Sequence, residues 1–134
     1  MGVYHPMNLQ DALRICGSEH PQILAGGTDW MVKQKRDSQM DCTILYIGQL
    51  KELRQIYRDG EDVLIGAACT LSQLLMSPLL PEYLKQPLAQ MASPAIRNVA
   101  TIGGNVCNAS PAADTLPMLY ALDAVLHLQS AAGS

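Results

Sequence analysis

Two pairs of adjacent glycines, each flanked by a small polar side chain, are the residues of this 134-residue chain best suited to chemistry. The first pair, Gly26–Gly27, follows an apolar run and precedes Thr28, and the second pair, Gly103–Gly104, precedes Asn105. Glycine permits positive φ and lets the backbone approach a ligand closely. Free N–H groups at a helix start, together with the Thr28 hydroxyl, form a site for phosphate oxygens. We expect the second pair to contribute the same groups.

Each glycine pair taken alone is typical of a tight turn, whereas the combination favours a single ligand held between two loops. A pyrophosphate between two such segments would be bound from both sides. The chain contains no G-x-G-x-x-G fingerprint, and no Gly-Lys-Ser/Thr run follows either pair, which excludes the Rossmann and P-loop motifs. The sequence therefore predicts that any dinucleotide is bound in another fold. An unrelated enzyme that binds a phosphorylated metabolite through the same loops is an alternative interpretation.

Hydrophobic periodicity predicts the elements that position these loops. In the first third of the chain helices and strands alternate, which is typical of strands covered by helices. The predicted elements are a helix from Leu9 to near Gly17 capped by Asn8, a strand at 22–25, a helix from Thr28 to about Lys35 and a strand at 43–47. The first glycine pair thereby joins a buried strand to a helix.

Past a soft boundary near residues 48–55, the pattern changes and predicts a second lobe. The predicted elements are a β-hairpin at 53–57 and 63–67, a short helix capped by Thr70, a helix at 82–91, a strand at 98–102, a helix at 114–122 and a strand at 124–129. The second glycine pair is then expected directly after a strand. We predict two units, residues 1–50 and residues 51–134, in an α+β protein.

Composition excludes several classes of function. The net charge is −3 without a cluster of Lys or Arg, which argues against binding to nucleic acid. No apolar run reaches the ~20 residues that span a bilayer, and no basic-then-apolar leader opens the chain, so a cytoplasmic protein without membrane contact is expected. The four cysteines are far apart and form no C-x-x-C pair, which predicts free thiols and no metal site. Four methionines at helix-like spacing are predicted core residues, namely Met31, Met76, Met91 and Met118.

Two longer motifs carry a family resemblance. The run Ile23–Asp29 reads I-L-A-G-G-T-D, and the run Ile96–Thr115 reads I-R-N-V-A-T-I-G-G-N-V-C-N-A-S-P-A-A-D-T. Together they closely resemble the FAD-binding (medium) subunit of molybdenum hydroxylases. That family includes the flavoprotein parts of xanthine dehydrogenase, aldehyde oxidase and carbon monoxide dehydrogenase. The resemblance extends over nearly the whole chain.

The resemblance implies a fold and a set of cofactor-binding residues. The implied fold is the α+β, PCMH-type FAD-binding fold, with a small α/β N-terminal lobe and part of a second α+β lobe. In this family the FAD pyrophosphate lies between the two glycine loops. By motif position the implied FAD-binding residues are Ile23, Leu24, Ala25, Gly26, Gly27, Thr28, Asp29, Trp30, Thr101, Ile102, Gly103, Gly104, Asn105 and Asp114. No catalytic residue and no metal ligand is implied.

The resemblance also implies partners. A molybdopterin-binding subunit would oxidise the substrate, an iron–sulfur subunit would pass electrons to FAD, and NAD or another acceptor would collect them. Family members are longer than this chain, so a fragment is expected. Its strand at 124–129 would then lack a neighbour, which favours self-association. A truncated, flavin-free remnant that acts as a subunit-assembly module is the alternative hypothesis.

Overall fold

The computed structural model describes residues 2–36, 42–108 and 114–134. Its helices and strands are β1 (Val3–Tyr4), α1 (Leu9–Glu19), β2 (Gln22–Leu24), α2 (Thr28–Arg36), β3 (Ile44–Tyr46), β4 (Ile56–Asp59), β5 (Asp62–Ile65), α3 (Leu71–Met76), α4 (Glu82–Gln90), α5 (Pro94–Arg97), α6 (Ile102–Cys107) and α7 (Leu116–Ala121). A 3₁₀ turn, Lys51–Leu53, precedes β4. The mixture of helices and strands confirms the α+β class.

A three-stranded parallel sheet of order β1-β3-β2 organises the first part of the chain. Its central strand contributes the fully buried Leu45, which packs with Ala12 and Ile15 of α1 and with Leu50. The predicted alternation of helices and strands is therefore confirmed. The edge strand β1 has only two residues, too few for a periodic signal, and sequence patterning missed it.

Helix α1 begins as predicted and ends later than predicted. The Asn8 side chain accepts a hydrogen bond from the Asp11 N–H at 2.8 Å, which is the expected N-cap. The helix passes through Gly17 and ends at Glu19, and His20 follows in the left-handed conformation with φ of 48°. A Cβ at Gly17 would lie 2.8 Å from the Cβ of Ala131. Gly17 therefore allows the C-terminal segment to pack closely against α1 and does not stop the helix.

The second part of the chain is a β-hairpin followed by short helices. The strands β4 and β5 pair in antiparallel fashion, as predicted, and Gly60 adopts a positive φ of 62° at the turn. The helices enclose a second core cluster, in which the side chains of Cys69, Leu74 and Leu88 are almost completely buried. The predicted helix at 82–91 is confirmed as α4. The division of the chain at residue 50 stays a prediction.

The predicted strand at 98–102 is wrong, and a helical turn takes its place. Ser93 caps α5 by accepting from the Ile96 N–H at 3.3 Å. The next backbone N–H groups bond back to carbonyls of the same turn, including Ala100 to Ile96 at 2.8 Å. The chain therefore remains helical as far as Ala100. Within the predicted strand, Thr101 pairs with Thr70 in an isolated β-bridge. As a result the second glycine pair lies inside α6 and does not follow a strand.

The predicted strand at 124–129 is also wrong. A strand needs a neighbour with which to exchange hydrogen bonds, and no described residue pairs with this segment. Its apolar side chains are consequently exposed, among them Val125, Leu126 and Leu128. The preceding predicted helix is present but shorter, as α7.

Two of the four methionines predicted in the core are not there. Met91 is buried and Met118 packs against the second core cluster. Met31 and Met76, in contrast, are 54% and 83% exposed. Helix-like spacing cannot show which helix faces have a partner. None of the helices in the described parts of the chain has the length and hydrophobicity that crossing a lipid bilayer requires.

The start of α3 allows a test of local stability. The Thr70 hydroxyl accepts from the Gln73 N–H at 3.1 Å, and the Gln73 side chain accepts from the Thr70 N–H at 2.9 Å, which forms a capping box. We expect Thr70→Ala to lower the free energy of unfolding by about 1 kcal/mol because it removes this cap. Urea denaturation followed by circular dichroism measures the change. Thr70→Ser keeps the hydroxyl and should match the wild type, and equal losses in both variants would contradict the capping role.

Candidate functional site

The two glycine-containing segments lie side by side and border one cleft of about 290 Å³. One wall is the loop from β2 into α2, and the other is the start of α6 with the residue before it. The lining residues are Gln22, Ile23, Leu24, Ala25, Gly26, Gly27, Thr28, Asp29, Trp30, Ala100, Thr101, Gly104, Asn105, Cys107 and Asn108. The cleft therefore lies between segments that are separated by some seventy residues in sequence.

Close backbone contact at Gly26 brings the two walls together. A Cβ on this residue would lie 2.1 Å from the Val99 carbonyl oxygen and 3.2 Å from the Ala100 Cα. Any side chain would force the two segments apart, because the atoms that it meets belong to backbone and cannot rotate away. Gly26 is therefore required for the approach of the segments that form the cleft.

The first wall presents unpaired backbone donors. Gly27 has φ of 78° and directly precedes α2, and its carbonyl accepts the first backbone hydrogen bond of the helix, from the Met31 N–H at 3.0 Å. A glycine at this position has no side chain to accept from the first helical turn. Among the described residues, none accepts a hydrogen bond from the backbone N–H of Gly27, Thr28 or Asp29. These groups line the cleft at the positive end of a nine-residue helix, an arrangement that favours anions.

The second wall differs from the first, because its backbone N–H groups from Ile102 to Asn105 already have protein acceptors. These bonds run from Ile102 to the Cys69 carbonyl at 3.0 Å, from Gly103 to the Ala67 carbonyl at 2.9 Å, from Gly104 to the Thr101 hydroxyl at 3.0 Å and from Asn105 to the Thr101 carbonyl at 3.0 Å. A Cβ at Gly103 would lie 2.6 Å from the Ala67 carbonyl oxygen, so this glycine serves packing. The prediction that both pairs present free N–H groups is thus wrong for the second pair.

Side chains supply the donors of the second wall. Thr101 accepts from Gly104 through its hydroxyl oxygen, and its hydroxyl proton is available to donate. The Asn105 carbonyl oxygen Oδ1 accepts from the buried hydroxyl of Thr115. The amide nitrogen Nδ2 of Asn105 is then the end that can donate to a ligand, and no described residue accepts from it.

Trp30 belongs to the cleft and is half-buried. Its indole Nε1 donates to Oε1 of Gln22 at 3.1 Å, and the Cys42 thiol donates to the same oxygen at 3.3 Å. This bond holds the flat indole at the wall of the cleft.

Most of the residues implied by the resemblance line the cleft. All eight residues from Ile23 to Trp30 do so, as do Thr101, Gly104 and Asn105. Three of the implied residues do not line it. Ile102 is 7% exposed and belongs to the second core cluster, Gly103 packs on Ala67, and Asp114 is exposed elsewhere.

Four lining residues were not predicted: Gln22, Ala100, Cys107 and Asn108. Gln22 directly precedes the first motif, and Ala100 lies within the second motif, directly before Thr101. Asn108 is four residues after Gly104, and on a helix such residues share a face. A helical interpretation of residues 102–107 would have indicated Cys107 and Asn108, and the incorrect strand prediction hid this signal.

The described residues of the cleft offer dipoles and neutral donors to an anion. Among the described residues that line the cleft there is no Lys or Arg, and Asp29 is the carboxylate there. Anion binding would therefore use backbone N–H groups, a helix dipole and neutral side-chain donors.

Comparisons with known proteins identify the family of the chain. The whole chain, residues 1–134, matches the family described as the FAD binding domain in molybdopterin dehydrogenase. It is 36% identical over 138 residues to the xanthine dehydrogenase FAD-binding subunit of Escherichia coli O157:H7, covering 97% of this chain and 47% of that subunit. It is 33% identical over 117 residues to the nicotinate dehydrogenase FAD-subunit of Eubacterium barkeri, covering 85% of this chain and 40% of that subunit.

A solved structure is similar in backbone. A chain of the cyanide-inactivated Cu,Mo-CO dehydrogenase superposes with a TM-score of 0.79 at 28% identity, covering 86% of this chain and 42% of that one. The present chain therefore spans less than half the length of these relatives. Because the family match extends from the first residue to the last, the chain belongs to the family of FAD-binding domains of molybdopterin dehydrogenases.

Proposed function

We propose that this chain binds FAD in the cleft between its two glycine-containing segments, as the flavoprotein component of a molybdenum hydroxylase. The observation that carries the proposal is the set of N–H groups at Gly27, Thr28 and Asp29, which have no acceptor among the described residues and lie across the cleft from a second wall of neutral donors. In a chain of this family, a diphosphate is the anion that such a cleft suits. The flavin-free alternative leaves these donors without a role.

The residues present fit the diphosphate of FAD. Backbone N–H groups and the Thr28 hydroxyl would bind phosphate oxygens from one side, and the Thr101 hydroxyl and the Asn105 amide would bind them from the other. The absence of a Cβ at Gly26 keeps the two walls close enough for both to reach one ligand. The cleft volume, about 290 Å³, is at the lower limit for ligand pockets of roughly 300–1,000 Å³. The cleft would thus hold the centre of the dinucleotide and leave its outer parts outside.

Other lining residues would hold the groups on either side of the diphosphate. Trp30 offers a flat apolar face on which an aromatic ring of the cofactor can pack. Asp29 is exposed at the rim and can accept a hydrogen bond from a sugar hydroxyl. For Ile102, Gly103 and Asp114 we propose indirect roles, because they do not line the cleft.

FAD, when bound, supplies hydride and single-electron transfer, and the protein supplies binding, orientation and electrostatics. We propose that the partners of this chain are a molybdopterin-binding subunit and an iron–sulfur subunit, with NAD or another acceptor taking the electrons. The family match and the relatives named as FAD subunits of dehydrogenases support this proposal. We also propose a cytoplasmic location. The exposed apolar side chains at 124–129 support self-association.

The central experiment is a ligand titration that uses the single tryptophan of the chain as probe. Because Trp30 lines the cleft, we expect FAD to quench its fluorescence in a saturable manner. ADP, which carries a diphosphate, should compete with FAD, and riboflavin, which carries none, should compete poorly. Competition by riboflavin as strong as that by ADP would contradict the diphosphate site, and absence of any FAD binding would contradict the proposed function.

The backbone donors of the first wall can be tested at Thr28. Thr28 is the first residue of α2, a position where proline is well tolerated, and Thr28→Pro removes both an N–H and a hydroxyl. Thr28→Val is the matched control, since it removes the hydroxyl alone. A bond to a charged phosphate contributes about 1.5–3 kcal/mol. We therefore expect Thr28→Pro to weaken FAD binding roughly 10- to 100-fold more than Thr28→Val does. Equal affinities in the two variants, with unchanged circular dichroism, would exclude a role for this N–H.

Cysteine alkylation provides a test that does not depend on fluorescence. Cys107 is exposed and lines the cleft, whereas Cys69 is fully buried and burial raises the pKa of its thiol. We expect iodoacetamide at pH 8 to modify Cys107 readily and Cys69 slowly, and FAD to slow the reaction at Cys107 only. Mass spectrometry of peptides measures both rates. An unchanged rate at Cys107 under saturating FAD would place the ligand elsewhere.

A further inference from the structure

Thr115 is a buried threonine that directly precedes α7. Its hydroxyl does not cap that helix. It is completely buried, and its carbonyl accepts from the Leu119 N–H at 3.1 Å at the start of α7. No hydrogen bond joins its side chain to the first turn of α7. In contrast, Thr70 and Thr101 accept from first-turn N–H groups at 3.1 and 3.0 Å. The Thr115 hydroxyl therefore has another role.

The helix itself has a reduced need for a side-chain cap. Pro117 is the second residue of α7, so one of the first-turn positions that a capping side chain serves has no N–H. The Thr115 hydroxyl instead donates to Oδ1 of Asn105, on α6. This bond links the start of α7 to the second wall of the cleft.

The bond determines which end of the Asn105 amide can meet a ligand. With Oδ1 bonded to Thr115, the donor Nδ2 is left without a described acceptor on a residue that lines the cleft. In the flipped amide, Oδ1 would be the available end, and it would repel a phosphate oxygen. The flip would also deprive the buried Thr115 proton of its acceptor, at a cost of about 1–3 kcal/mol.

We propose that Thr115 is a positioning residue for the diphosphate: it orients the Asn105 amide so that a donor, and not an acceptor, faces the ligand. The inference rests on the proposed binding of FAD in this cleft. Thr115 itself would make no contact with the ligand, since it does not line the cleft. It acts through Asn105, and Asn105 matters in turn because the backbone donors of residues 102 to 105 all have protein acceptors.

The test is a double-mutant cycle on FAD and ADP affinity, measured by quenching of Trp30. Thr115→Val removes the hydroxyl and keeps the branched shape. We expect it to lower the affinity for FAD and for ADP about tenfold, which corresponds to the loss of about one hydrogen bond. Thr115→Ser should restore affinity to within about twofold, because it retains the donor. In the Asn105→Ala background, Thr115→Val should cause no further loss, since the amide that it orients is gone.

A further variant, Asn105→Asp, does not depend on the folding of Thr115→Val. A carboxylate can accept from Thr115 but has no donor to turn toward the cleft, so we expect a larger loss than in Asn105→Ala. Additive losses in the cycle, or wild-type affinity in Asn105→Asp, would overturn the positioning role while FAD still binds the wild type. Failure of the wild type to bind FAD or ADP would instead overturn the proposed function itself.

Discussion

The close approach of two backbone segments at Gly26 is the contact on which the rest of the site depends. The loop after β2 meets the Val99 carbonyl at a distance that leaves no room for a Cβ. This contact joins the parallel sheet of the first part of the chain to the short helices of the second. The Val99 and Ala100 side of the contact is held by hydrogen bonds from Val99 N–H to the Ile96 carbonyl and from Ala100 N–H to the same carbonyl.

The two walls then bind an anion by different means. The first wall uses backbone N–H groups that a glycine at the start of α2 leaves unpaired. In the second wall, the backbone N–H groups of residues 102–105 are bonded to Thr101 and to the carbonyls of Ala67 and Cys69. The side chains of Thr101 and Asn105 are its donors for a ligand. The described residues that line the cleft include no Lys or Arg. Anion binding by these residues depends on geometry, because aligned dipoles act over short distances and only on groups placed correctly.

Local signals in the sequence predicted much of the fold. The caps at Asn8 and Thr70, the hairpin turn at Gly60 and the parallel alternation before residue 47 are all present. The errors occurred where apolar composition alone was taken to indicate a strand. Residues 98–100 have the apolar character of a strand, yet Ser93 and Pro94 begin a helical turn that continues to Ala100. Residues 124–129 have the composition of a strand but no described partner strand, and composition cannot supply one.

For the site itself, the sequence alone determined which residue types are available: paired glycines, a threonine and an asparagine in two motifs specific enough to indicate a family. Only the tertiary structure decided how they are used. It showed that Gly26 and Gly103 serve close packing, that Gly27 leaves donors free, and that Asn105 is oriented by Thr115. The sequence could not distinguish these roles, because every glycine lacks a side chain whatever its surroundings. Whether that lack admits a ligand or a neighbouring carbonyl depends on which atoms the fold brings next to it.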